Sequence, residues 1–565
     1  MSRIHRDADI STTAAWISLA LIVVVLSLVI ASTWRVYINT WDEPEHLAAG
    51  LELIETGHYR YDIQHPPLAR VAIAVGPWLL GAKSLGMEPP DGKPEGLAIL
   101  YGEGHYWQRL SAARAGTLPF FALLVFATYL WSRTVQSRLM SVLSAALVGT
   151  VPAIVGHAGL ATIDVAATAT LLAMLYVWLQ FFRTPTLWWA IGVGLVSGIA
   201  LGVKLSAIPF GLLGILVLWA WRRRAFHAPR LAWWRSGVNA GVVVLLVGAV
   251  LTLAYGGGWE TLTGPEHKFN QALFFLFGKS GRWHDWGYDA FSHFQVPVAF
   301  QWYLGGIQAL TVHNQTGHLS YLLGQTRLTG WWYFYLVALA VKTPLPLLVT
   351  GVTGMGLMVW EGRRLARWSL CVMPSIAVVI LTFASVYSNI NIGVRHVLVI
   401  YPFLCIGAAF AINRLSVAIQ SASGWRKMGG VVLVGALLTN PIWVLIHEWP
   451  DYLPYFNATV ADPEQVLVDS DLDWGQDLAR LSLRLAELRV PEISIAYSGS
   501  AVMAYEHLPP YHLLAPDQRA VGWVAVSALA RVDAPHRFDW LNAYHPLERV
   551  GKTIDLYFIP SLQER

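Results

Sequence analysis

The sequence has 565 residues, of which 55% are hydrophobic, 12% are aromatic and only 13% are charged. Soluble domains carry about a quarter charged residues, so this composition excludes an ordinary soluble protein. The net charge of +4 gives no support for a nucleic-acid partner, and the two cysteines, Cys371 and Cys405, lie in apolar runs without a disulfide framework. Repeated apolar runs of about 20 residues predict a polytopic α-helical membrane protein.

Eleven apolar segments are predicted to span the membrane as helices. In chain order they are 12–33, 110–131, 138–156, 162–182, 187–203, 206–221, 237–256, 331–359, 368–387, 395–413 and 429–447. The first is long enough to span and lacks a small-residue cleavage site, which indicates a retained helix rather than a signal peptide. Segment 331–359 contains Pro344 and Pro346, so it is one kinked helix or two half-helices. The short stretch 67–82 is predicted to be interfacial or re-entrant.

Basic residues in the short loops predict the orientation of the chain. With a cytoplasmic N-terminus, one side receives residues such as Arg133, Arg183 and Arg222, whereas the short loops on the other side are nearly bare. Three large segments, 34–108, 257–330 and 449–565, then face outward. The last has ordinary polarity, with strand-like runs at 492–497 and 522–526 and a helical stretch at 474–488. We therefore predict a transmembrane domain, 1–448, followed by a small extracytoplasmic α/β domain, 449–565.

Unusual ionisable residues lie on the predicted outer side or, in the case of Lys342, inside the eighth predicted span. They are Asp42, Glu43, Glu45, His46, His65, His157, Asp164, Lys204, Lys342, Arg395 and His396. Ionisable groups at or below the membrane interface are costly and tend to mark functional sites. Basic groups can hold a phosphate, and a carboxylate can take a proton from an attacking hydroxyl.

Each of these residues also has a structural interpretation. Lys204 and Arg395 could reach lipid headgroups, Asp164 could cap a helix, and His157 could be a satisfied polar residue in a turn. The glutamates of the first loop could be solvated. The sequence contains no Walker-type phosphate loop, which argues against ATP-driven transport.

Two possible metal sites stay open from the residues alone. His46, His65 and His157 could meet a divalent ion with Glu45, although no spacing argues for it. The run Asp469, Asp471, Asp473 and Asp477 is dense enough for Ca²⁺. It lacks the glycine and the closing glutamate of an EF-hand, so a solvated acidic turn is the alternative.

Several motifs occur in a recognisable order. They are Trp41-Asp42-Glu43, Gln64-His65-Pro66-Pro67-Leu68, the turn from His157 to Asp164, Gly202-Val203-Lys204-Leu205-Ser206, Gly330-Trp331-Trp332-Tyr333 through Lys342-Thr343-Pro344-Leu345, and Val394-Arg395-His396. The chain resembles the C-type membrane glycosyltransferases that use polyprenyl-phosphate-linked sugars. It is most similar to bacterial members related to protein O-mannosyltransferases and lipid A aminoarabinose transferases. The acidic run from Asp469 to Asp477 looks like a module of one bacterial branch. The loop repeats of eukaryotic protein O-mannosyltransferases have no counterpart here, which weakens the inference of a protein acceptor.

The resemblance implies roles for the motif residues. Asp42 would be the catalytic base and Glu43 would support it or orient the substrate. Lys204, Lys342 and Arg395 would neutralise the departing polyprenyl phosphate. His65, His157 and His396 would bond the sugar or phosphate, and Glu45, His46 and Asp164 complete the predicted substrate site. One displacement with one base implies inversion at the anomeric carbon.

These residues predict a bacterial inner-membrane enzyme with a periplasmic or extracellular C-terminal domain. Its partners would be a polyprenyl-phosphate-linked sugar, membrane lipids and an acceptor that is a protein, lipid or glycan. Two alternatives remain: an oligosaccharide ligase or polymerase of the same architecture, and a lipid-linked-sugar transporter. The absence of detectable internal symmetry argues against the transporter.

Overall fold

The computed structural model describes residues 9–88, 91–226, 233–261, 277–278, 281–291 and 294–560. Parts of the predicted outer segment 257–330 and the last residues of the predicted C-terminal domain lie outside this range.

A helix coincides with each of the eleven predicted spans. In the described chain, eight helices are long and apolar enough to cross a membrane: Thr12–Ala31, Tyr106–Ser132 (which includes Tyr106–Ala115 and Leu118–Ser132), Asp164–Arg183, Ser236–Ala254 (within Trp233–Ala254), Leu345–Arg364, Ser369–Tyr387, Ile400–Gln420 and Gly424–His447. Arg138–Gly149 and Pro152–Ala158 form a ninth if this pair, bent by 62°, is one span. Leu187–Leu201 is shorter, and Ala207–Phe226 ends in basic residues. The polytopic helical fold is confirmed.

The predicted segment 331–359 is broken into two helices, Phe334–Lys342 and Leu345–Arg364. Thr343 and Pro344 are extended between them, with ψ of 132° and 128°. Proline supplies no backbone N–H and disfavours a helical conformation in the preceding residue, which explains the position of the break. The segment therefore forms two helices rather than one kinked helix, and the second of them is long enough to cross a membrane by itself.

The first large outer segment forms three helices, Glu43–Thr56, Leu68–Leu79 and Gly92–Tyr101. The second of these is the short helix predicted at 67–82. Gly96 allows the third helix to touch the first, because a Cβ there would lie 1.9 Å from the carbonyl oxygen of Pro44. This contact fixes the start of the helix that follows Asp42.

The described part of segment 257–330 contains the helices Arg282–Phe291 and Val298–Thr316. It also contains two antiparallel strand pairs, Trp259–Thr261 with Gln295–Pro297 and Ser320–Leu322 with Gln325–Arg327.

The C-terminal region is α/β and contains a five-stranded mixed sheet. Across the sheet the strands are Tyr511–Leu513, Ile493–Ala496, Gly522–Ser527, Ile554–Ile559 and Glu548–Val550; the first three are parallel and the last two join antiparallel. Two strands were predicted, and the three others were not. The predicted helix 474–488 is confined to Leu478–Glu487, and a second helix is Ala528–Asp533. Short 3₁₀ turns occur at Gly102–Gly104, Val394–Val397, Pro463–Gln465, Asp469–Asp471, Met503–Tyr505 and Asp539–Ala543.

Backbone hydrogen bonds join the first outer segment to the C-terminal region. The N–H of Ile38 donates to the carbonyl of Gln476 at 3.0 Å, and the N–H of Trp41 donates to the carbonyl of Trp474 at 3.2 Å. The C-terminal region is thereby fixed against the residues that immediately precede Asp42.

Candidate active site

A cavity of about 670 Å³ lies where the membrane helices, the first outer segment and the C-terminal region meet. Its polar lining includes seven of the predicted site residues: Asp42, His46, His65, Asp164, Lys204, Arg395 and His396. Apolar side chains of the helices Ala207–Phe226 and Ser369–Tyr387, including Phe210 and Phe383, line another part of the cavity. The cavity therefore joins a charged compartment to an apolar one.

Asp42 and Arg395 form an ion pair at the cavity wall. Nη1 of Arg395 donates to Oδ2 of Asp42 at 2.7 Å, and the Asp42 side chain is 24% exposed. Burial raises the pKa of Asp42, but the charge and the hydrogen bond of the Arg395 guanidinium outweigh it and hold the pKa below the ordinary value of 3.8. Asp42 is therefore a carboxylate at neutral pH, as a general base must be.

A second ion pair continues the network. Nζ of Lys204 donates to Oδ1 of Asp164 at 2.6 Å, and Oδ2 of Asp164 lies 3.8 Å from Nη1 of Arg395. Lys204 and Arg395 thus line the cavity rather than extending to lipid headgroups, and Asp164 bonds a lysine rather than capping its helix. Two cations and two carboxylates alternate along this wall.

Arg395 keeps hydrogen-bond donor capacity that the buried Arg114 has used. Arg114 makes five hydrogen bonds with Glu43 and three backbone carbonyls. Among the described residues, Arg395 donates only to Asp42, and its buried Nε–H has no hydrogen-bond partner. The aromatic ring of Trp474 supports the guanidinium, with its centre 4.3 Å from Cζ. A fixed guanidinium with free N–H groups is suited to bind a phosphate.

His46 and His65 of the first outer segment are neutral. Nε of Arg70 donates to Nδ1 of His46 at 3.1 Å, so the His46 proton lies on Nε2. The His46 and His65 rings meet edge to face at 5.7 Å. Burial lowers the pKa of His65 to about 4 and holds the pKa of His46 well below 6.5. They can bond a substrate as uncharged groups but cannot neutralise a phosphate.

His396 is held by a tyrosine. Nδ1 of His396 lies 3.1 Å from the Tyr335 hydroxyl, which donates to the carbonyl of Ile390 at 2.9 Å. The hydrogen bond with Tyr335 orients the His396 imidazole in the cavity wall.

Glu43 is not part of the cavity wall, in contrast to the predicted catalytic role. Its carboxylate is 1% exposed, pairs with Arg114 through Nε at 2.7 Å and Nη2 at 2.8 Å, and accepts the N–H of Ala161 at 2.7 Å. It also accepts the N–H of Thr40 at 2.7 Å. Glu43 therefore joins the first outer segment to the second predicted span and to the turn between the third and fourth, and any support that it gives Asp42 is positional.

Three other predicted substrate ligands lie outside the described cavity lining. Nζ of Lys342 is buried and donates to the carbonyls of Leu453 at 2.8 Å and Asp471 at 2.5 Å. Its predicted phosphate contact is unsupported, because the ammonium already bonds the C-terminal region. His157 is 1% exposed and packs edge to face on Trp474 at 6.0 Å. Glu45 lies near Asp62 and Arg70, and burial together with Asp62 raises its pKa to about 7.

Several cavity residues were not predicted from the sequence. They are Gln64, His313, Asn314, His318, Tyr335, Asp469, Trp474, Ser498 and Asp533. Three of these residues form a chain of hydrogen bonds that is centred on His313. Its Nδ1 lies 3.1 Å from Oε1 of Gln64, and its Nε2 lies 3.2 Å from Nδ1 of His318. Gln64, Asp469 and Trp474 lie within the sequence motifs described above, whereas nothing in the sequence marks His313, His318 or Asp533.

Within the part of the chain that the structure describes, no group of three or more His, Cys, Asp or Glu residues is arranged to hold a metal ion. In particular, the acidic run does not form the loop chelator that its density allowed, and Asp471, Asp473 and Asp477 are buried rather than in a solvated turn. Asp471, Asp473 and Asp477 each accept hydrogen bonds from backbone N–H groups.

The chain is similar to known proteins both in sequence and in fold. Residues 56–254, which include Asp164 and Lys204, match the family described as dolichyl-phosphate-mannose-protein mannosyltransferase (PMT). The archaeal oligosaccharyltransferase AglB from Archaeoglobus fulgidus, solved with an inhibitory peptide and a dolichol-phosphate, has a TM-score of 0.50 at 11% identity, covering 98% of this chain and 75% of its own. ArnT from Cupriavidus metallidurans, bound to undecaprenyl phosphate, has a TM-score of 0.45 at 13% identity, and the match covers 97% of this chain and 98% of ArnT. No curated protein matches the sequence. The relationship predicted from the motifs is thus confirmed: residues 56–254 match the protein mannosyltransferase family, and the fold of the chain is similar to that of AglB.

Proposed function

We propose that the protein transfers a sugar from a polyprenyl-phosphate carrier to an acceptor hydroxyl, with Asp42 as the general base. The observation that carries this proposal is the Asp42–Arg395 ion pair at the wall of a cavity that is charged in one part and apolar in another. A lipid-linked sugar combines the same two properties, because its phosphate is anionic and its tail is a hydrocarbon. The two solved proteins named above hold dolichol-phosphate and undecaprenyl phosphate, which supports the same donor class here.

The chemistry requires one base and two cations. An acceptor hydroxyl is too weakly acidic to attack unaided, and a positioned carboxylate contributes about 10²–10⁴-fold. Asp42 is ionised, and its Oδ1 makes no hydrogen bond with the described residues. Arg395 and Lys204 would receive the departing phosphate, so the leaving group needs no general acid. A single displacement inverts the anomeric carbon.

The proposed location follows from the charge distribution. A cytoplasmic N-terminus places the basic loops inside, and the cavity, the outer segments and the C-terminal region then lie on the outer side of a bacterial inner membrane. A carrier that has been moved to the outer leaflet would reach the cavity from the lipid. Labelling of single cysteines placed at Asp462 and Arg367, which are exposed and lie on opposite predicted sides, tests this orientation.

The transfer itself is tested with protein in lipid nanodiscs and a panel of undecaprenyl-phosphate-linked sugars. The readout is free undecaprenyl phosphate, with membrane extract as the acceptor source. We expect Asp42→Asn to lower release by about 10²–10⁴-fold while undecaprenyl phosphate still binds. Asp462→Asn, an exposed aspartate outside the cavity lining, is the matched control.

Unchanged release by Asp42→Asn would refute the assignment of the base. Carriers with one sugar and with an oligosaccharide separate a single-sugar transferase from a ligase or polymerase. Carrier binding without release, together with carrier movement in liposomes, would instead identify a transporter.

A further inference from the structure

The acidic run 469–477 divides into three structural aspartates and one that faces the cavity. Oδ1 of Asp471 accepts the N–H of Val394 at 3.0 Å. Asp473 accepts the N–H groups of Gly475 and Leu529 at 3.0 and 2.8 Å. Asp477 accepts the N–H of Lys552 at 3.2 Å and the hydroxyl of Thr553 at 2.9 Å. These three carboxyls fix the fold of the C-terminal region.

Asp469 has no comparable structural partner. Its hydrogen bond within the described chain is with the N–H of the next residue, Ser470, at 2.5 Å, and no described cation lies within ion-pairing distance. It lines the cavity, and both Arg395 and Asp42 lie close enough for their charges to act on its carboxyl. Of the four aspartates, Asp469 alone is placed to meet a substrate.

The backbone at Asp469 is held in a strained conformation. Its φ is +44°, in the left-handed region that residues with a Cβ rarely adopt. The two following residues secure it, because the Ser470 hydroxyl donates to the carbonyl of Ile392 at 2.5 Å and Asp471 bonds Val394. Strain of this kind persists where the surrounding structure imposes it, and it often accompanies function.

The charges along the cavity wall indicate what Asp469 meets. Arg395 and Lys204 are matched by Asp42 and Asp164. Asp469 and Asp533 add two carboxyl groups from the C-terminal region, and Asp533 accepts the Ser498 hydroxyl at 2.6 Å. A donor phosphate would bind the two cations. The C-terminal wall therefore offers hydrogen-bond acceptors with negative charge, which suit hydroxyl groups and repel anions.

We propose that Asp469 binds the acceptor beside Asp42, so that the C-terminal region selects an uncharged, hydroxyl-bearing sugar over an anionic acceptor. This inference rests on the proposed transferase function. Asp469 contributes hydrogen bonds to hydroxyls next to the attacking one, and Asp42 takes the proton of the attacking hydroxyl. Burial raises the pKa of Asp469 to about 7 against the opposing effect of Arg395, so near neutral pH its carboxyl can also donate a hydrogen bond.

The test uses the full-length protein in nanodiscs, loaded with the undecaprenyl-linked sugar that the wild type cleaves. A neutral methyl hexoside and the matching methyl hexuronide serve as surrogate acceptors. We expect the wild type to prefer the hexoside, and Asp469→Asn to raise the KM for it about tenfold, as loss of a hydrogen bond to a charged group does. We expect the variant to discriminate less against the hexuronide and to keep the KM for the donor. Asparagine tolerates the left-handed conformation, so the turn is retained, and Asp462→Asn should behave as wild type.

Three results would each overturn the proposal. They are an unchanged acceptor KM and an unchanged discrimination in Asp469→Asn, a preference of the wild type for the hexuronide, and an effect of the substitution on the donor KM alone. Saturation-transfer NMR of the two glycosides on protein loaded with undecaprenyl phosphate gives a readout without turnover. Hexoside binding that is lost in Asp469→Asn supports the proposal, and equal binding or none by the wild type overturns it. Failure of the transferase function is seen separately, as no release of undecaprenyl phosphate by the wild type with membrane extract.

Discussion

Asp42 and Arg395 are separated by 353 residues in the chain, yet they lie 2.7 Å apart in the cavity. The pairing joins the first outer segment to the turn before the helix Ile400–Gln420. It also keeps the predicted base ionised, since the guanidinium opposes the effect of burial on the carboxyl pKa.

The pH dependence of transfer should report this pair. The pKa of Asp42 lies below 3.8, so base activity should be complete above it and fall as the pH drops through it. In Arg395→Gln burial acts unopposed by Arg395, which raises the Asp42 pKa and moves the acid limb of kcat/KM to higher pH. Lys204→Gln should lower the rate without moving that limb, because Lys204 pairs with Asp164. If the kcat/KM of wild type and of Arg395→Gln fell at the same acidic pH, Arg395 would not control the pKa of Asp42.

Glu43 should affect stability more than catalysis. Glu43→Gln leaves the buried Arg114 without its counter-charge, and such a loss costs about 3–5 kcal/mol. The measurement is the free energy of unfolding in detergent, together with the kcat of the folded fraction. Glu103→Gln, in the same segment, is the control. The Glu103 side chain is 73% exposed and pairs with Arg109, so its substitution should lower the free energy of unfolding by less than about 1 kcal/mol. A Glu43→Gln variant of full stability and no activity would restore the predicted catalytic role.

Substitutions of Lys342 and Lys204 should have different effects on phosphate binding, although both residues were predicted to hold the phosphate. Lys342→Met removes the donor to two carbonyls of the C-terminal region, so we expect a lower melting temperature and an unchanged affinity for undecaprenyl phosphate. Lys204→Met removes a cation from the cavity wall and should weaken that affinity about tenfold or more. Fluorescence titration with undecaprenyl phosphate distinguishes them. Equal loss of affinity in both variants would return Lys342 to the phosphate site.

Two glycines of one helix should respond differently to alanine. A Cβ at Gly354 would lie 1.8 Å from the carbonyl oxygen of Gly407, whereas one at Gly356 would meet nothing within 4 Å. Gly354→Ala must separate the helices Leu345–Arg364 and Ile400–Gln420, and we expect a loss of about 1–3 kcal/mol. Gly356→Ala should be neutral or slightly stabilising. Thermal melting of both variants in the same detergent checks this, and equal melting temperatures would contradict the close packing.

The sequence predicted the spans well because each depends on its own apolar residues. Pro344 marked the break in the eighth segment for the same local reason. The site was predicted only in part, because adjacent residues such as Asp42 and Glu43 look alike in sequence. Their different environments depend on Arg395 and Arg114, which are distant in the chain. Three-residue strands such as Tyr511–Leu513 give no periodic signal, and the direction of His313 depends on tertiary packing.

The bonds between segments 390–394 and 470–471 also set limits on recombination among related proteins. Ser470 and Asp471 each bond the loop that leads to Arg395, and Trp474 supports the guanidinium itself. A chimaera joined at residue 448 would separate this loop from the partners with which it is matched. An exchange that carries 390–396 together with the C-terminal region would transfer the whole unit, and with it the surface that meets the acceptor.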